Sequence, residues 1–149
     1  MSKRVLVPSL IGAVTLAAVA AGGLAMASTG SKPALKDGSV RYTAPTDTVA
    51  GAFTFTAKVS DDSGIKGLKV LAWPTSSKLD PTEAELRKVE DATCRSLSDE
   101  TSRCTYRLTV TKKEAAGLDQ GTWRISALAT AEDGDTLFLP HAASVDISR

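Results

Sequence analysis

Residues 52–60 read Ala-Phe-Thr-Phe-Thr-Ala-Lys-Val-Ser, so that Phe53, Phe55, Ala57 and Val59 alternate with Thr54, Thr56, Lys58 and Ser60. Successive side chains of an extended strand point to opposite faces, and a strict period of two therefore buries one side of the chain while leaving the other wet. The same period recurs in 67–73, where Leu68, Val70 and Ala72 oppose Lys69, and in 104–110, where Tyr106, Leu108 and Val110 oppose Thr105, Arg107 and Thr109. It recurs again in 121–131 through Trp123, Ile125, Ala127 and Ala129. Weaker strands are expected at 39–43, at 90–97 and at 143–147, where Val145 and Ile147 face one way. About seven short strands separated by turn residues predict an all-β fold, an antiparallel two-sheet sandwich with at most short helical turns. A barrel is the alternative.

The start of the chain has a different logic. Lys3 and Arg4 precede an apolar run over 5–21, interrupted by Pro8, Ser9, Gly12 and Thr15, and Ala25-Met26-Ala27 follows as a small-residue cleavage pattern. This is the three-zone layout of a secretory signal peptide, with cleavage expected between Ala27 and Ser28. The uncharged stretch reaches Ser31 and is long enough to span a bilayer, so a retained anchor is the competing reading. Cleavage would leave 122 of the 149 residues, a length that suits one core. Residues 28–38 are polar and breaker-rich and are expected to be a flexible lead-in, with one domain over 39–149. The mature chain would carry 16 basic against 17 acidic residues. That balance points to neither nucleic acid nor an anionic membrane as partner.

Cys94 and Cys104 both lie in the exported part, where an oxidising exterior favours their pairing in one disulfide across a hairpin; two separate buried thiols are the alternative. Two cysteines and one histidine do not make a four-ligand zinc site. A short helix is expected at Asp80-Pro81-Thr82-Glu83, with Asp80 as cap and Leu86 and Val89 on one face, and a single capped turn at Thr111-Lys112-Lys113-Glu114, ending at Gly117.

The segment Leu118-Asp119-Gln120-Gly121-Thr122-Trp123-Arg124-Ile125-Ser126-Ala127, with the turn Glu132-Asp133-Gly134-Asp135 after it, resembles the late strands of bacterial immunoglobulin-like and fibronectin-type-III-like modules. Val59-Ser60-Asp61-Asp62-Ser63-Gly64-Ile65 is similar to their turn between the second and third strands. With Leu68-Lys69-Val70-Leu71-Ala72-Trp73-Pro74 and the cysteine pair, residues 38–147 resemble a family of small secreted actinobacterial proteins catalogued as a domain of unknown function. The resemblance implies an immunoglobulin-like sandwich and export. It implies no activity.

Candidate chemistry is sparse. In a sandwich of that order the turns carrying Asp61 and Asp62 and carrying Glu132, Asp133 and Asp135 share one end, where their carboxylates offer the oxygen donors calcium takes. The competing reading is that Asp and Gly are the residues tight turns favour, and the spacing matches no defined calcium loop. No other cofactor is expected. Arg95 to Arg103, flanked by the cysteines, is a loop of the kind a secreted protease inhibitor presents, against a hairpin clipped for stability. His141 has no placed nucleophile or carboxylate beside it, and no hydrolase elbow, zinc-protease motif or phosphate-binding glycine loop occurs. Trp73 and Trp123 are read as core or edge aromatics before sugar platforms. The expectation is a secreted or surface-associated, non-enzymatic binding or structural module whose partner is a protein or the cell envelope, with the protease inhibitor as alternative.

Overall fold

The computed structural model describes residues 31–148; the expected signal segment 1–27 and the Ala27–Ser28 junction lie outside them. The described chain forms seven strands, β1 (Ala34–Thr43), β2 (Gly51–Ser60), β3 (Ile65–Pro74), β4 (Thr93–Ser96), β5 (Thr101–Val110), β6 (Gly121–Ala131) and β7 (Thr136–Ile147). Between them lie two short helices, α1 (Glu83–Leu86) and α2 (Lys112–Ala116). All pairings are antiparallel, in a four-stranded sheet of order β1-β2-β5-β4 and a three-stranded sheet of order β3-β6-β7. The fold is an all-β sandwich.

The alternation in β2 sets the core. Phe53, Phe55, Ala57 and Val59 are buried, and they pack with Leu68 and Val70 of β3 and with Ile125, Ala127 and Ala129 of β6. β2 pairs with β5 from Gly51 opposite Val110 to Ser60 opposite Thr101 without a shift in register, so the buried set of β5, including Cys104, faces the same way. Cys94 lies directly opposite Cys104, and the two are bonded.

A second, smaller apolar layer covers the other side of the three-stranded sheet. Trp73, Ser126 and Leu128 are buried although they alternate with core residues, and Leu86 of α1 is fully buried. The connection from β3 to β4 runs over this face, with α1 against β3 and β6. It is pinned by Lys69 Nζ donating to the Val89 carbonyl at 2.8 Å and by the Ala92 amide donating to the Leu68 carbonyl at 2.7 Å. Trp73 Nε1 donates to Ser126 Oγ at 2.9 Å, and that hydroxyl donates to the Pro140 carbonyl at 2.7 Å. The two polar groups buried here are thereby satisfied.

β3 and β5 start two and three residues before the expected 67 and 104, and four further differences from the sequence reading each have a local setting. β1 begins at Ala34, inside the segment expected to be a flexible lead-in, because a bulge between Lys36 and Ser39 absorbs Asp37, at φ +54°, and Gly38 without ending the ladder. β4 is shorter than 90–97, since at Asp91 the chain is still bridged to Lys69 of the other sheet. β7 runs from Thr136 rather than 143, passing Pro140 at a register shift opposite Ser126. The first helix is capped by Thr82, not Asp80: Thr82 Oγ1 accepts from the Glu85 amide while Glu85 Oε2 accepts from the Thr82 amide at 2.7 Å. Asp80 with Glu83 has the same three-residue spacing as Thr82 with Glu85, and it is the second pair that closes the reciprocal box; the cap expected at Thr111 forms the same box with Glu114.

Leu86→Ala should lower stability by about 2–5 kcal/mol, because it empties a fully buried site that fastens the β3–β4 connection, as measured by urea unfolding. The Cys94→Ala/Cys104→Ala pair should lower it by about 2.5–3 kcal/mol on the chain-entropy account. Reducing agent in the same assay should destabilise the native protein and leave that variant unchanged.

A cationic sheet face as candidate binding site

The side of β2 that the core does not use carries Thr54, Thr56, Lys58 and Ser60, and antiparallel pairing extends each of these into a row across the four-stranded sheet. Lys58 has Lys36 of β1 on one side and Arg103 of β5 on the other, and Arg103 is opposite Arg95 of β4. Four cations therefore line up across four strands. The next row is Ser39, Thr56, Thr105 and Thr93, all hydroxyl-bearing, and beyond it Thr54 stands between Arg41 and Arg107. Directly paired residues share a face, so these rows form one surface.

This surface is open. Lys36, Arg41, Arg95, Arg103 and Arg107 are exposed, and Lys58 is half-buried. Among the described residues, the five exposed cations make no ion pair; Lys58 alone is matched, by Asp37 at 3.3 Å from the bulge. The strands of this face set six of the chain's 18 Lys and Arg on it, against three carboxylates, Asp37 in the bulge and Glu90 and Asp91 beside β4. Like charges directly opposite one another weaken a sheet, and here they stand opposite in succession. Two shallow depressions lie on it. One, of about 370 Å³, is lined by Arg95, Arg103 and Arg107, by Thr93 and Thr105, and by the carboxylates Glu90 and Asp91. The other, of about 540 Å³, is lined by Ser39, Arg41, Thr43, Thr54, Thr56 and Arg107. Arg107 belongs to both. Asp91 is engaged by Lys69 at 3.3 Å. Burial, and secondarily the charge of Glu90, holds the Tyr106 phenol above its ordinary range at the edge of the first depression.

The residues singled out in the sequence are distributed otherwise. The two acidic turns do meet: Glu132 donates its amide to the Gly64 carbonyl at 2.9 Å, and the Asp133 amide donates to Ser63 Oγ at 3.1 Å. Two of their carboxylate oxygens fix the turns themselves. Asp61 Oδ1 accepts from the Ser63 amide at 2.9 Å and the Ser63 hydroxyl at 2.7 Å, and Asp133 Oδ1 accepts from the Asp135 amide at 3.0 Å. Gly64 and Gly134 take φ of +100° and +98°, a backbone shape that favours glycine. Among the described residues, no group of three or more His, Cys, Asp or Glu is placed to hold a metal ion, Asp62, Glu132 and Asp135 included. Asp61 Oδ2 is buried with no hydrogen-bond partner among the described residues.

The segment between the cysteines is strand and tight turn rather than a free loop. Arg95 pairs with Arg103 in the ladder, the Leu97 amide donates to the Thr101 carbonyl at 2.8 Å, and the Asp61 amide donates to the Glu100 carbonyl at 2.9 Å, tying the tip to the neighbouring turn. His141 is exposed, with Nε2 3.2 Å from Arg124 Nη1, and Arg124 lies over the Trp73 ring at 5.7 Å. Trp123 is half-buried beside Phe53, with ring centroids 6.4 Å apart, and its Nε1 donates to the Asp119 carbonyl at 2.8 Å. Among the described residues, no helix is long and apolar enough to cross a membrane.

The family model of a family of unknown function, DUF5707, matches residues 35–129, and the chain belongs to that family. The matched span takes in all of β2, β4 and β5 and β1 from its second residue, and so every residue of the cationic rows. No curated protein and no solved structure matches the chain.

Replacing one member of the like-charge row should relieve the sheet. Arg95→Thr is expected to raise stability by a few tenths of a kcal/mol at low ionic strength. The gain should vanish near 1 M salt, where the Debye length falls to about 3 Å. Thermal unfolding at both salt concentrations measures this.

Proposed function

We propose that the chain is an exported, non-enzymatic binding module that engages a component of the cell envelope through the outer face of its four-stranded sheet. The observation that carries this reading is the row Lys36, Lys58, Arg103 and Arg95, four cations side by side on an open surface in a chain of net charge +1. A fold that tolerates such a row with only Lys58 matched forgoes stability, and local rules are most often broken where a surface is used. The other sheet offers no comparable surface, because the β3–β4 connection covers its outer side.

The strand order supports a familiar scaffold. With the strands lettered A to G, the sheets become ABED and CFG, the arrangement of an immunoglobulin constant-type module, in keeping with the sequence resemblance to bacterial immunoglobulin-like domains. That scaffold serves binding and structural roles on many proteins and names no ligand by itself. Export is favoured by the disulfide, which persists in oxidising compartments, by the signal-like sequence of 1–27, and by the likeness of residues 38–147 to secreted actinobacterial proteins. The laddered, tied-down hairpin between Cys94 and Cys104 favours the binding face over a protease-inhibitor loop, which would have to stand clear of the sheet to enter a protease cleft.

The reading is tested by sedimentation with isolated cell envelopes of the producing organism. The native domain should co-sediment at low salt and be released as salt rises. Arg95→Glu/Arg103→Glu should abolish retention, whereas Lys66→Glu/Lys88→Glu, an equal change of net charge on the side of the other sheet, should leave it intact. Equal retention of all three proteins, or none of the native one, overturns the proposal.

A further inference from the structure

Resting on the binding-face reading above, we infer that the ligand is a linear phosphodiester polyanion, a polymer whose singly charged phosphates are joined by hydroxyl-bearing polyol or sugar units. Three features of the face lead there.

The first is extent. Strands lie about 4.8 Å apart, so the row from Lys36 to Arg95 spans about 14 Å. Arg107 is four residues along β5 from Arg103, and Arg41 and Thr54 stand in its row. At about 3.3 Å per residue the two cationic rows are about 13 Å apart. No single small anion reaches both rows. A chain running over the face meets both, passing from the depression at Arg95 and Arg103 into the one at Arg41 through the shared Arg107.

The second is density and kind of charge. Four cations within one strand-crossing row suit a polymer charged at short intervals more than a glycan with one carboxylate per disaccharide. Four of the six cations are arginines, whose planar fork donates two parallel hydrogen bonds to paired oxygens of a phosphate. The intervening row Ser39, Thr56, Thr105 and Thr93 can donate to phosphate oxygens and can accept from linker hydroxyls.

The third is what the strand positions of the face lack. They carry no aromatic side chain and no aliphatic one larger than alanine; the one aromatic lining the first depression is Tyr106, from the core-side positions of β5, and the one larger aliphatic lining the second is exposed Val49, from the β1–β2 connection. Single-stranded nucleic acid is ordinarily held by aromatic platforms on which bases stack. Surfaces that enter a bilayer do so with inserted apolar groups, and protein partners are held by aromatic anchors. The face is built to hold backbone charge and hydroxyls, with nothing for a base or an acyl chain.

The test uses the disulfide-intact domain and four immobilised probes: poly(glycerol phosphate), polygalacturonate, a single-stranded DNA oligonucleotide, and vesicles containing anionic phospholipid. Poly(glycerol phosphate) should bind most tightly, with affinity falling linearly in log salt. Arg95→Ala/Arg103→Ala should weaken it about tenfold or more and reduce that salt slope by about two, one unit for each phosphate the variant no longer neutralises. Lys66→Ala/Lys88→Ala should change neither. Circular dichroism and thermal unfolding establish that both variants are folded. Tighter binding of polygalacturonate, DNA or vesicles overturns the inference and names the replacement ligand class. If no probe binds while envelope retention still depends on Arg95 and Arg103, the ligand class is wrong and the binding face stands; if retention is also indifferent to them, both fall.

Discussion

Both the core side and the open side of the four-stranded sheet are decided by the pairing of β2 with β5, ten residues against ten with no shift in register. Phe53, Phe55, Ala57 and Val59 occupy alternate positions of β2, so their burial commits the intervening Thr54, Thr56, Lys58 and Ser60 to the opposite side. β5 is then obliged to follow: Cys104 goes inward with Ala57, and Arg103 goes outward with Lys58. A slip of one residue would put Arg103 into the core and Cys104 into water, an exchange no sandwich tolerates. The core and the cationic face are in this sense one object seen from two sides, and a change that loosens the first scrambles the second.

The disulfide acts on the same register from the other edge. β4 is four residues long, too short for its own ladder to hold it firmly, and it supplies Arg95, the outermost cation of the row. Bonding Cys94 to Cys104, directly opposite, fixes which residue of β4 faces Arg103. The hairpin tip is held as well, by the Asp61 amide on the Glu100 carbonyl. A bridge that is ordinarily a matter of stability therefore also holds two like charges face to face.

Much of the fold was legible in the sequence because burial writes itself as period two. The strands at 52–60 and 121–131 are found within a residue of where alternation put them, and the capping box at Thr111 forms as its spacing required. What was not legible depends on neighbours far along the chain. Nothing near Trp73 or Leu128 says that the outward side of the second sheet is also buried, because the cover is α1, brought over from the β3–β4 connection. The cationic face was hidden for the same reason. Lys36, Lys58, Arg95 and Arg103 are scattered singly among polar positions, each inconspicuous in its own strand, and only the strand order β1-β2-β5-β4 sets them side by side. A net charge near zero concealed the segregation further.

The acidic turns complete that segregation. They drew attention in the sequence as a place where carboxylates gather, and they do gather, yet Asp61 and Asp133 each commit an oxygen to fixing their own turns. With Asp61, Asp62, Glu132, Asp133 and Asp135 at the turns and six of the 18 Lys and Arg on one sheet face, a molecule of almost no net charge has a polarised surface. Such a surface orients an approaching polyanion before it touches the protein, since the field of the sheet attracts it while that of the turns repels it. Net charge governs how proteins behave toward one another in bulk; its arrangement governs what one face will hold. Here the arrangement follows from which residues two β-strands can leave in water.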